Sequence, residues 1–180
     1  YDFEVLLGND GYSFVQQKYN QNNKWNRYHS DNRYGCSHAM SGDGKTCVVG
    51  ARYTDWDGGD RGEAYVYQRN EYTGEFDFKQ RLLQYTSRSN SDYFGQCVRL
   101  NYDGTRLIVS APGDDPANTD AGAVYVYDRA NTTQNFDGKY RHYPHRNSVE
   151  PNYSYSYYGS SMDMDESGEW MMIGIPRNDR

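Results

Sequence analysis

The sequence predicts an all-β protein assembled from repeated four-stranded blades. Three observations carry this reading. The chain repeats itself at an interval of about 60 residues, short apolar runs alternate with Gly-centred turns, and no stretch of helix length has a convincing helical period.

The repeat is clearest in three segments. They are YGCSHAMSGDGKTCVVGAR from Tyr34, FGQCVRLNYDGTRLIVSAP from Phe94 and YGSSMDMDESGEWMMIGIP from Tyr158. Each opens on an aromatic-Gly pair and carries a Gly nine residues after the first: Gly44, Gly104 and Gly168. Each then has a short apolar run, Cys47–Val49, Leu107–Val109 or Met171–Ile173. The first strand of each unit follows the aromatic-Gly pair. A tight turn, Asp-Gly twice and Ser-Gly once, supplies the positive φ of the reversal. The second strand is the apolar run, as expected of a strand covered on both faces.

A second half-repeat follows. Gly62-Glu63-Ala64-Tyr65-Val66-Tyr67 matches Gly122-Ala123-Val124-Tyr125-Val126-Tyr127, offset by 60 residues. It predicts the third strand. A polar turn then leads to an aromatic fourth strand, around Phe76–Leu82 and Phe136–Tyr140, polar enough for an outer edge. Phe3-Glu4-Val5, the turn Asn9-Asp10-Gly11 and Phe14–Tyr19 resemble the same second half.

Four strands recurring at this interval read as a β-propeller blade, which must stack because one blade cannot cover both faces of its own sheet. The aromatic rings Tyr34, Phe94 and Tyr158 are expected between blades, as packing residues. The phase assigns one repeat domain, 1–180: a half-blade at 1–28, blades at 34–88 and 93–145, and a half-blade at 158–180. That makes about three blade-equivalents, too few to close a propeller. With no initiator Met and no apolar leader, the chain reads as a piece of a longer protein or as a unit completed by other chains, in a ring or a filament.

The pattern resembles the FG-GAP repeat of integrin α-chain propellers and other secreted proteins, some lectins among them. Phe94-Gly95, Asp103-Gly104 and Ser110-Ala111-Pro112 carry the resemblance, with Tyr34-Gly35, Asp43-Gly44 and Gly50-Ala51-Arg52 in the first copy and Tyr158-Gly159, Ser167-Gly168 and Gly174-Ile175-Pro176 in the third. The resemblance implies calcium loops of the form Asp-x-Asp-x-Asp-Gly in the first hairpin, because a hard cation needs converging oxygens. This chain departs from that form. It has Ala39, Ser41 and Asp43 in the first copy, Arg99, Asn101 and Asp103 in the second, and Asp163, Asp165 and Ser167 in the third. Asp163 and Asp165 remain as metal candidates, and no cofactor besides calcium is raised.

Two acidic loops join strand two to strand three and belong on one face. Asp55, Trp56, Asp57 and Asp60 lie in the first, and Asp114, Asp115 and Asp120 in the second. They are candidate ligand-binding residues, for calcium or for a sugar stacked on Trp56; the alternative is a solvated surface. Trp56 has Pro116 as its repeat partner, which counts against a repeated sugar site.

Aromatic residues make up 16% of the chain, twenty of them Tyr, and the net charge is -6. Such a charge argues against nucleic acid, and no apolar run is long enough to span a membrane. Sequons at Asn131 and Asn152, in polar stretches, and three cysteines outside any CxxC favour a secreted, glycosylated protein. A disulfide between Cys36 and Cys47 is an expectation that needs a bulge or a shifted register, since simple pairing sets Cys47 against His38. Cys97 is then odd. His29, His38, His142 and His145 have no nucleophile at a diagnostic spacing, and no hydrolase, zinc-protease or phosphate-loop motif occurs, so the chain reads as a non-enzyme. The function expected is an extracellular structural or adhesive module that works through protein partners or self-association, with a glycan-binding module as the alternative.

Overall fold

The computed structural model describes residues 3–7, 14–18, 33–54, 59–85, 89–116, 119–144 and 154–176. Among these every regular element is a strand. There are two four-stranded sheets and two hairpins, all antiparallel. The hairpin β1 (Phe3–Leu7) with β2 (Phe14–Lys18) pairs Val5 with Gln16.

The first blade runs in sequence order: β3 (Tyr34–Met40), β4 (Thr46–Ala51), β5 (Glu63–Arg69) and β6 (Phe76–Leu82). The second repeats it with β7 (Val98–Leu100), β8 (Arg106–Ala111), β9 (Ala123–Asp128) and β10 (Asp137–His142). A third unit shows β11 (Met162–Met164) and β12 (Met171–Ile173). The expectation for strand two holds: β4 is buried at every position, because both faces are covered. Strand four is the polar edge, most plainly in β10.

Alternation along β4 and β8 divides each blade into two faces. Val48, Ala64, Val66 and Leu82 of the first blade pack into one core with Leu107, Val109, Ala111, Tyr125 and Tyr127 of the second. On the far face of the second blade, Ile108, Val124 and Val126 pack with Met162, Met171 and Ile173 of the third unit. The blades therefore stack in chain order, with β7 touching β3 on one side and β11 on the other.

The aromatic-Gly pair is the hinge of each joint. Phe94 is fully buried and meets the rings of Tyr125 and Tyr127 edge-on. Its amide donates to the Arg61 carbonyl at 2.9 Å, as Tyr158 donates to Ala121 at 3.0 Å in the next joint. Gly95 has φ of +90°, and a Cβ there would lie 2.3 Å from the Glu63 carbonyl oxygen. Glycine permits both the conformation and the approach. Outside the blade core a buried arginine braces the same joint. Arg129 donates to the Gly104 carbonyl and to Thr46 Oγ1 of the first blade, and its guanidinium lies over the Phe136 ring.

The first hairpin corrects one expectation. Cys47 pairs with Met40 and not with His38, because the turn centres on Asp43-Gly44 rather than one residue earlier. Cys36 sits in the bulge between Tyr34 and Ser37, beside Gly50 and Ala51. Three residues of strand separate that position from Cys47, roughly 10 Å, well beyond the span of a disulfide. Both thiols are free, so the expected bridge is absent.

These contacts predict a graded response in urea unfolding. Phe94→Ala is expected to cost about 3–5 kcal/mol, as a buried aromatic deletion does. Gly44→Ala also sits at positive φ but has open space, so it costs about 1–2 kcal/mol. Gly95→Ala must exceed Gly44→Ala; equal costs would refute close packing as the reason for Gly95.

Candidate functional site

The described parts of the loops between strands two and three meet the segments leading into each next blade. Two stretches of backbone clasp there. Ser91, Tyr93 and Phe94 donate to the carbonyls of Gly59, Asp60 and Arg61; Tyr155, Tyr157 and Tyr158 donate to Thr119, Asp120 and Ala121. Asp60 and Asp120 take positive φ in this clasp, at 47° and 48°. Their backbones serve the joint. Asp55, Trp56 and Asp57 lie outside the described residues.

Asp114 is buried and has a structural commitment. Its Oδ2 accepts the Tyr125 hydroxyl at 2.5 Å and Arg141 Nη1 at 3.3 Å. Burial raises its pKa from the usual carboxylate range, against the pull of Tyr125 and Arg141. The first blade builds the same triad from a different residue. Thr54 occupies the Asp114 position, while Glu63 replaces Ala123. Glu63 is fully buried, accepts the Tyr65 hydroxyl at 2.6 Å and lies 3.8 Å from Arg81. Tyr and Arg keep their places, and the carboxylate has moved from a loop to a strand. Sequence reasoning missed Glu63. The signal was present as an acid inside a stretch whose partner is wholly apolar up to the second Tyr.

Asp115 remains exposed and accepts the Asp120 amide at 2.5 Å, closing its own loop. Asp92 was also missed. It is fully buried in the segment entering the second blade; Oδ2 accepts the Ser89 amide at 2.5 Å while Oδ1 has no hydrogen-bond partner.

At the hairpin tips the calcium-loop positions close their own turns. Ser41 Oγ, Asn101 Oδ1 and Asp165 Oδ1 each accept the amide five residues on, at 3.0, 2.8 and 2.9 Å. Ser167 donates to Asp165 as well, and these bonds hold the Asp165 carboxyl below its usual range. Asp163 lies in β11, 3.4 Å from the guanidinium of Arg99. With an arginine beside one candidate ligand and the other spent on its turn, the set does not fit a calcium ion. Among the described residues no three His, Cys, Asp or Glu side chains gather as a metal site.

Asn131 lies on an exposed turn, where its Oδ1 accepts both the amide and the hydroxyl of Thr133, the third sequon residue. Asn152 lies outside the described residues. Cys97 is half-buried, its thiol raised by burial and donating to the Ser160 carbonyl at 3.4 Å.

The FG-GAP repeat model matches residues 28–67 and 87–127. Two copies of the FG-GAP repeat are thus present, and the two four-stranded sheets are consistent with blades of that kind. No curated protein matches it. Such repeats point to a protein–protein interaction or adhesion-type module, are generally non-enzymatic and typically occur in extracellular domains. No helix among the described residues is long and apolar enough to cross a membrane.

Moving the carboxylate makes a swap testable. Asp114→Thr alone removes the carboxylate that Arg141 and Tyr125 share and is expected to cost about 2–4 kcal/mol in urea unfolding. Adding Ala123→Glu, which copies the first blade, should restore at least half; no recovery would show that the two triads are not interchangeable. A chelator should leave the thermal midpoint within about 1 °C, because the tip oxygens already have partners; a larger drop would reveal a bound cation.

Proposed function

We propose that this chain is an extracellular structural or adhesive module that assembles with protein partners through the faces of its blades. One observation carries the reading. Met172 is 74% exposed and Trp170 is 77% exposed. By repeat, Met172 is equivalent to Ile108 and Val48, which are fully buried against the following unit. Trp170 is equivalent to Arg106, which donates to the Gly168 carbonyl of the third unit, and to Thr46, which receives Arg129 of the second blade.

The third unit thus presents an exposed Trp and an exposed Met at positions that meet the following unit in both preceding copies. An exposed Trp and Met at such positions mark an interaction face. The partner this supports is another blade-like surface, offering apolar side chains inside a polar rim.

Sedimentation of the chain over a range of concentrations tests this. The wild type is expected to associate, and Met172→Asp to abolish association while keeping the unfolding midpoint. A monodisperse wild-type monomer that is retained on a glycan surface would overturn the reading in favour of a sugar-binding module.

A further inference from the structure

The two joints between blades differ at one buried position. In the second joint Ser156 is buried, and its hydroxyl donates to the Ala121 carbonyl at 2.8 Å. That carbonyl also receives the Tyr158 amide. In the first joint the equivalent residues are Asp92 and Arg61, and the Arg61 carbonyl receives the Phe94 amide in the same way. A serine hydroxyl is a donor, whereas an ionised carboxylate can only accept. Asp92 is buried as completely as Ser156, and its Oδ1 makes no hydrogen bond.

We propose that in mildly acidic surroundings Asp92 stands in the folded protein as a neutral carboxylic acid whose hydroxyl donates across the joint, as Ser156 does in the next, so that the joint loosens when the proton leaves.

The surroundings favour the neutral form. Asp114 and Asp115 of the loop after β8 bring negative charge, and the arginine of that cluster, Arg141, is drawn to Asp114. Gln84, after β6, and the Ser89 amide are the neighbouring donors. Burial first, and then these two acids, push the Asp92 carboxyl up to about 6 against the pull of the Ser89 and Gln84 donors. The folded state therefore holds a proton that the unfolded chain releases near 4. Stability is fully present below that lower value and is lost as the pH rises through about 6. The device tightens the joint in mildly acidic surroundings and relaxes it at neutral pH.

Two measurements on the whole chain test this, both in chelator. A carbon-detected NMR titration should place the Asp92 carboxyl midpoint near 6; a midpoint at or below about 4.5 would overturn the proposal. Urea unfolding from about pH 4.5 to about pH 7.5 should lower the wild-type folding constant roughly 25-fold relative to Asp92→Ser, which copies the second joint. Parallel pH profiles would overturn it. Should the serine variant not fold, Asp92→Asn supplies a neutral donor of the same shape and is expected to remove the same pH dependence. Calcium added at about pH 7.5 that stabilises the wild type but neither variant would also overturn it, because the orphan oxygen would then serve a cation.

Discussion

A sheet that is apolar on both sides has to be covered twice. That requirement governs this protein. Val48 and Val49 are neighbours on one strand and point to opposite faces, yet both are fully buried. Neither face can be left in water without exposing several hundred Å² of apolar surface, so each blade gains its stability from its neighbours. The rest of the architecture follows from making that stack possible: short strands, tight polar turns and a close approach where one blade hands over to the next.

The joint itself is layered. Its centre is apolar, with Phe94 as the knob and aliphatic side chains from both sheets around it. Its margins are polar and highly specified. The Arg129 brace joins the sheets on one side, the backbone clasp joins the linkers on another, and a Tyr–carboxylate–Arg triad sits beside each clasp. Burying a guanidinium among carbonyls lowers its pKa to about 10, a cost accepted where hydrogen bonds replace water. Apolar contact supplies attraction, and the polar margin fixes the angle at which two blades meet.

Much of this was legible in the sequence because repetition filters out accident. The aromatic-Gly pairs, the Gly turns and the apolar second strands recur in order, and each has a local physical cause. The hairpin register was not legible: a loop centred on Asp43-Gly44 and one centred on Gly42-Asp43 each place a glycine at the reversal. The role of Asp114 was hidden for a different reason. Asp114 lies in a cluster of three acids that reads as a ligand loop or a solvated one, and only the folded chain shows Glu63 reaching the same Tyr and Arg from the strand. Asp92 is invisible to pattern reading, since an acid next to Tyr-Phe-Gly resembles a polar linker residue.

The moved carboxylate bears on how repeat proteins are redesigned. Averaging the two blades position by position treats each column as independent. In this chain the columns of Thr54/Asp114 and Glu63/Ala123 are one choice written in two places. An averaged blade that takes Asp and Glu sets two buried acids on one arginine, while one that takes Thr and Ala removes the carboxylate from the triad. A working consensus blade has to inherit the pair together, and statistics gathered column by column would discard the very correlation that keeps the charge balanced.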